Sequence, residues 1–246
     1  MRNMMRHLFL AFGIALLAAV TSGTAAAVTV APHHTPITSI SPGDGAVVGI
    51  AHPVTVRFGA PVTDRARAEQ SVHVGHLNGT FSWRSDRELV WTSNGMLPAN
   101  TGFTVSAGDT RTEFRTNGGT TADADMSAHT FTVFVPGQAP RVMPASMGKP
   151  GRETPVGTFP VMEKDRTIVF DSRTIGIPLD DPEGYYLTGE FAERLTSGGV
   201  FVHSAPWSVG DQGYANVSHG CINLAPGDAE WYYNTVSVGD PVTAHW

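Results

Sequence analysis

The chain has 246 residues, 16 basic against 22 acidic side chains, a formal charge of −6 and a single cysteine. The acidic balance argues against a nucleic-acid partner, and one cysteine excludes a disulfide framework. The length suits two modest domains, each with a core of its own.

Residues 1–27 have the build of a signal peptide: Arg2 and Arg6, an apolar run from Leu8 to Val20, then small residues ending in Ala25-Ala26-Ala27. The run is too short to span a bilayer comfortably, so the reading is an exported chain without a stable membrane span, anchored only if the leader is not cut. Removing the leader leaves 14 basic against 22 acidic residues. Residues 28–35 read as an extended linker on the cell-wall side of the cytoplasmic membrane.

From residue 36 to 122 apolar residues alternate with polar ones, as in Val54, Val56 and Phe58 against Thr55 and Arg57. The same period recurs at Val72-His73-Val74, Phe81-Ser82-Trp83, Leu89-Val90-Trp91, Phe103-Thr104-Val105 and Arg111 to Arg115, at roughly ten-residue spacing. This predicts a small immunoglobulin-like β-sandwich. Asn78-Gly79 predicts a hairpin turn between two of its strands. His73 and His76 lack a third ligand and are read as surface residues. Asn117-Gly118-Gly119-Thr120 predicts a flexible boundary crossed by few contacts.

A second β-rich unit is predicted over 126–246. Thr130 to Val135, a Pro136-Gly137 turn and a return strand near Arg141 open it. Pro144 and the glycine and prolines beyond it read as a break in the pattern. Strand signals follow at Thr167 to Phe170, Ile175 to Ile177, Val200 to His203 and Val242 to Ala244. One short helix is predicted after Pro226, over about Gly227 to Asn234, with Trp231 on its buried face.

The chemistry centres on Cys221, in Ser218-His219-Gly220-Cys221-Ile222-Asn223. A lone cysteine is often a small buried hydrophobe. In an exported chain, beside His219 and with His203 upstream, it reads instead as a thiol kept for reactivity. An ordinary thiol is only a few per cent thiolate at neutral pH, so it needs a base or a cation beside it. His203 closes an apolar strand and is the candidate base. The carbonyl or hydroxyl of Ser204 is the candidate group fixing its tautomer, with Asp211 a rival. Gly220 permits a tight turn whose successive N–H groups can face an oxyanion. His219 is either a second acid/base or a loop brace; Ser218 and Asn223 are read as braces. Asn216-Val217-Ser218 and Asn78-Gly79-Thr80 match the glycosylation sequon. A zinc site built on His203, His219 and Cys221 lacks a fourth ligand, so no metal or other cofactor is expected.

His203, a gap of 14 residues and the run from Ser218 to Asn223 resemble the signature of the L,D-transpeptidases with a YkuD-type catalytic domain. Thr154-Pro155-Val156-Gly157 resembles that family's Thr-Pro-x-Gly segment. With the sandwich in front, the chain resembles the mycobacterial type. The resemblance implies a mostly β catalytic fold acting on peptidoglycan stem peptides, both donor and acceptor, and inhibition by carbapenems. By position it makes Cys221 the nucleophile, His203 the base, Ser204 the orienting oxygen, and the Gly220 and Cys221 amides the oxyanion hole. It makes Tyr185 the lid tyrosine, with Tyr186 beside it. Many relatives carry arginine where this chain has Asn223, which puts carboxylate binding there in doubt. The chain is expected to act as a monomer. A carboxypeptidase, a sortase-like transpeptidase and a non-catalytic wall-binding protein remain the alternatives. The enzyme reading rests on a sulfur ionised by an adjacent imidazole in an open pocket.

Overall fold

The computed structural model describes residues 35–246. The signal-peptide reading and nearly all of the linker lie outside these residues. Among the described residues no helix is long and apolar enough to cross a membrane.

The first eight strands are β1 (Ile37–Ser41), β2 (Ala46–Val48), β3 (Val54–Phe58), β4 (Val72–Val74), β5 (Gly79–Trp83), β6 (Glu88–Ser93), β7 (Gly102–Ala107) and β8 (Thr110–Thr116). They form two four-stranded sheets, ordered β1-β3-β6-β5 and β2-β8-β7-β4. The alternation read from the sequence is what builds the core. Val54, Val56, Leu89 and Trp91 of one sheet meet Val72, Val105 and Phe114 of the other in a single apolar cluster.

Two expectations fail here. Asn78-Gly79 is not a hairpin turn, because β4 pairs with β7 while β5 pairs with β6, so the segment crosses from one sheet to the other. Gly79 instead begins β5 where a side chain would collide with the Trp91 ring. A short helix that the sequence reading missed, α1 (Arg65–Gln70), precedes β4, with the Asp64 carboxylate accepting from the Arg67 N–H at its start.

The second unit holds β9 (Thr121–Asp125), β10 (Thr130–Phe134), β11 (Arg141–Ser146), β12 (Gly157–Pro160), β13 (Glu163–Asp171), β14 (Tyr186–Arg194), β15 (Phe201–Ser204), β16 (Ile222–Leu224), α2 (Pro226–Thr235) and β17 (Pro241–His245). All nine strands join one sheet, ordered β12-β17-β9-β10-β11-β16-β15-β14-β13. β12 and β13 stand at opposite ends of that order yet are joined only by Val161 and Met162, so the sheet must curl until its edges approach. α2 covers the concave core, where Tyr232 meets Phe131 edge to face at 4.9 Å.

Four sequence expectations need correction in this unit. β9 belongs to the nine-stranded sheet, so that sheet begins before residue 126 and takes residues counted with the sandwich. Pro144 does not end its strand: β11 runs through it to Ser146. Ile175 to Ile177 is not a strand; Ser172–Ile175 is a 3-10 turn closed by Gly176 in the left-handed region. On α2 the fully buried aromatic is Tyr232, not Trp231, which is half-buried beneath the Arg141 guanidinium.

The junction between the units is pinned rather than flexible. Asn117 Nδ2 donates to the buried Asp240 carboxylate at 2.8 Å, Gly49 N–H to the Val238 carbonyl at 2.8 Å, and Ala51 N–H to the Gly239 carbonyl at 2.8 Å. Gly49 and Gly239 pack backbone to backbone, and a Cβ on Gly49 would overlap the chain at Gly239 and Asp240.

Candidate active site

β15 and β16 are parallel neighbours, with Val202 paired to Ile222 and His203 to Asn223. Parallel strands cannot be joined by a tight turn and need a crossover of a dozen or more residues. That is the physical reason for the gap of 14 residues between His203 and Ser218. Period-2 alternation sends Val202, Ile222 and Leu224 into the core and Phe201, His203, Cys221 and Asn223 to the opposite face. Those four side chains line one cavity of about 470 Å³, with Phe170, Tyr185 and Trp207 completing its apolar wall.

His203 Nδ1 lies 2.8 Å from the Ser204 carbonyl. A carbonyl only accepts, so Nδ1 carries the proton and Nε2 is left as an acceptor. Thus the main-chain oxygen of Ser204, rather than its hydroxyl or Asp211, faces the imidazole. The ring lies tilted beside Phe170, at 4.6 Å, and Trp207, at 5.8 Å, two aromatic neighbours that the sequence reading missed. Burial pushes the His203 imidazole down to about 4.

The Cys221 thiol is partly buried at the cavity floor and donates to the Gly199 carbonyl at 3.7 Å. Burial pushes it up to about 11, opposed more weakly by the Phe201 backbone and the Arg194 charge. Burial thus disfavours the charged form of both groups, the thiolate and the imidazolium alike.

Hydrogen bonds from three directions hold the turn before Cys221. Ser218 Oγ donates to the Cys221 carbonyl at 2.6 Å and accepts the Gly220 N–H at 3.1 Å. Gly220 has φ +120°, in the region that favours glycine. Its amide is thereby engaged, which leaves the Cys221 amide as the candidate oxyanion donor. Thr154, from the Thr-Pro-x-Gly segment, donates to the Gly220 carbonyl at 2.9 Å and accepts the Gly148 N–H at 3.0 Å. Asn223 Nδ2 donates to Ser208 Oγ at 3.1 Å, while its buried Oδ1 has no partner.

The segment leading into β14 closes one side. Tyr185 lines the cavity, and its backbone bonds Ser172 on both sides, to the main-chain N–H and to Oγ. Tyr186 points away and is 64% exposed, which separates the two adjacent tyrosines. His219 Nε2 lies 3.2 Å from Glu183, which also pairs with Lys149, and its ring is 5.4 Å from that of Tyr185. Glu183 and Lys149 were not found by the sequence reading, because no local pattern marks a pairing across 34 residues. Asn216, the sequon residue, is occupied: Oδ1 accepts from the Met147 N–H and His129, and Nδ2 donates to the Met126 carbonyl. His73 and His76 are exposed on the sandwich.

Residues 119–243 match the family described as L,D-transpeptidase catalytic domain, and residues 17–111 match bacterial Ig domain. The chain is 47% identical over 247 residues to L,D-transpeptidase 1 of Mycobacterium tuberculosis, covering 98% of each. Among solved structures it resembles an L,D-transpeptidase from Mycobacterium smegmatis at 54% identity and TM-score 0.82, over 85% of this chain and 98% of that one. It also resembles the LD transpeptidase LdtMt1 in complex with imipenem, at 49% identity and TM-score 0.83, over 86% and 100%.

Proposed function

The chain belongs to the L,D-transpeptidase family, and on that premise we propose that it cross-links peptidoglycan through a thioester on Cys221. The observation that carries the reading is the single thiol and the single buried imidazole facing one cavity from adjacent strands.

Cys221 attacks the carbonyl of the third residue of a donor tetrapeptide stem. His203 Nε2 takes the thiol proton as the sulfur–carbon bond forms, so that no free thiolate accumulates. The Ser204 carbonyl, accepting from Nδ1–H, stabilises the imidazolium. The amide of Cys221 faces the developing oxyanion. Collapse of the tetrahedral adduct breaks the peptide bond, and the imidazolium proton leaves on the terminal D-alanine amine. The thioester is then attacked by the side-chain amine of a diaminopimelate on a second stem; one amine proton returns through His203 to the sulfur, giving a 3-3 cross-link. Water in place of the amine gives the carboxypeptidase product. A carbapenem acylates the same sulfur by opening its strained ring. The reaction requires the cell-wall side of the cytoplasmic membrane, in agreement with the leader-like residues 1–27.

Intact mass spectrometry of the purified chain with a tetrapeptide muropeptide tests the assignment. A covalent adduct lacking one D-alanine is expected on the parent chain and none on Cys221→Ala. D-alanine release by a correctly folded Cys221→Ala chain would refute it.

A further inference from the structure

The β13–β14 hairpin leaves the sheet before it reaches the catalytic cavity. β14 pairs with β15 only at Glu193–Val202 and Arg194–Phe201, whereas β13 and β14 stay paired out to Asp171–Tyr186. Phe191 stands at the departure with φ +52°, a conformation that a bulky residue rarely adopts. Glu193 and Phe191 are buried in the core there, while Leu187 and its partner Phe170, on the same side by period two, line the catalytic cavity. No main-chain pairing to β15 therefore carries Phe170 to His203; packing sets it there.

That packing rests on Gly189. It is a buried position between the exposed Thr188 and Glu190, and glycine inside a strand weakens it, so its presence marks a close approach. What approaches is the Phe170 ring: a Cβ on Gly189 would lie 2.3 and 2.8 Å from two of the ring carbons. Seated on bare main chain, the ring reaches the His203 imidazole at 4.6 Å and meets Phe201 edge to face at 5.5 Å. The other ionisable groups lining the cavity are Asp171, Tyr185, Arg194, His219 and Cys221, and among the described residues none is hydrogen-bonded to His203. The imidazole is thus walled by aromatic rings, with Phe170 the nearer and Trp207, half exposed, the more remote.

We propose that Gly189 is a positioning residue of the transpeptidase reaction: by leaving room for the Phe170 ring it fixes the place and the dryness of the catalytic base. The inference rests on the role given to His203 above. Carbon contacts settle at about 3.5–4.0 Å, so a side chain at 189 displaces the ring by about 1 Å or more. A ring pushed onto the imidazole turns Nε2 from the sulfur, and a ring pushed off it admits water. Either change is felt at the proton transfer.

The test compares Gly189→Ala, Phe170→Leu and the double variant in the full chain. Gly189→Ala should slow acylation by imipenem about 10–100-fold, the scale of an ångström's misplacement of a reacting group. The acid limb of that rate, held near 4 by burial in the parent, should move up towards the ordinary imidazole range. Phe170→Leu removes the collision, so the double variant should acylate faster than Gly189→Ala and within about threefold of Phe170→Leu alone. An NMR titration of His203 in the Cys221→Ala background should show the same shift without turnover. A parent chain that never acylates, while this titration still follows Gly189→Ala, refutes only the catalytic reading. Gly189→Ala with the parental rate and the parental titration overturns the positioning role. So does a slow Gly189→Ala whose titration is unmoved and whose rate Phe170→Leu does not relieve, the behaviour of a packing defect.

Discussion

The two units share a β construction but differ in what they bury. Between its sheets the sandwich buries little besides apolar side chains; of its buried side-chain oxygens only Thr112 Oγ1 lacks a partner. The curled sheet buries His203, Asn223, Glu193, Asp240 and the Tyr232 hydroxyl, and both Glu193 oxygens, Asn223 Oδ1 and the Tyr232 hydroxyl are unpartnered. Unsatisfied buried polar groups cost stability and collect where a fold has a second task. The sandwich thus follows the rules of packing alone, whereas the catalytic unit departs from them around and behind its thiol.

The contrast can be broken from either side. The largest effect is expected at His203: His203→Gln should slow acylation by imipenem by about 10²–10⁴-fold while the thermal unfolding midpoint moves little. Comparable loss of stability in that variant would make the imidazole a packing residue. In the sandwich Phe114→Ala should do the reverse. It should cost about 3–5 kcal/mol of stability on denaturant unfolding, with an unchanged acylation rate wherever the chain is still folded.

Glu193→Gln sharpens the comparison more gently. Burial pushes this carboxyl up to about 9, so it stays protonated in the fold well above the pH at which an unfolded chain releases the proton. Folding then takes up a proton, and stability falls as pH rises from about 4.5 towards 9. The amide removes that dependence. Glu193→Gln should gain up to about 4 kcal/mol near pH 7.5 and little at pH 4, read from denaturation at both values. The smallest effect is a displaced pH limb. Since His203 must be neutral to accept a proton, acylation should hold steady through pH 6 and decline only as pH falls towards about 4. A limb centred near 6.5 would mean a solvated imidazole.

The sandwich was largely legible in its residues because a period of two has one physical meaning: one face dry, one face wet. Val54, Val56 and Phe58 declared their sheet face without help from the rest of the chain. Asn78-Gly79 misled because turn propensity is local, whereas the partner of each adjoining strand was set by distant chain. Ile175 to Ile177 misled because two isoleucines around a glycine fit a strand or the close of a 3-10 turn equally well. The catalytic motif stood out as a run of rare residues around Cys221, but nothing in that run indicated its charge state.

Read alone, the amino acids determined the order of the parts: a leader-like start, an alternating β unit, and a thiol with histidines upstream and beside it. Those are properties of residue type and near spacing, where sterics and hydrophobicity act over a few positions. Only the tertiary structure set the Ser204 carbonyl against His203 Nδ1, enclosed thiol and imidazole in one cavity, and brought Glu183 to His219. Solvation and pairing depend on which distant segments exclude water from a group, and chain order does not carry that information.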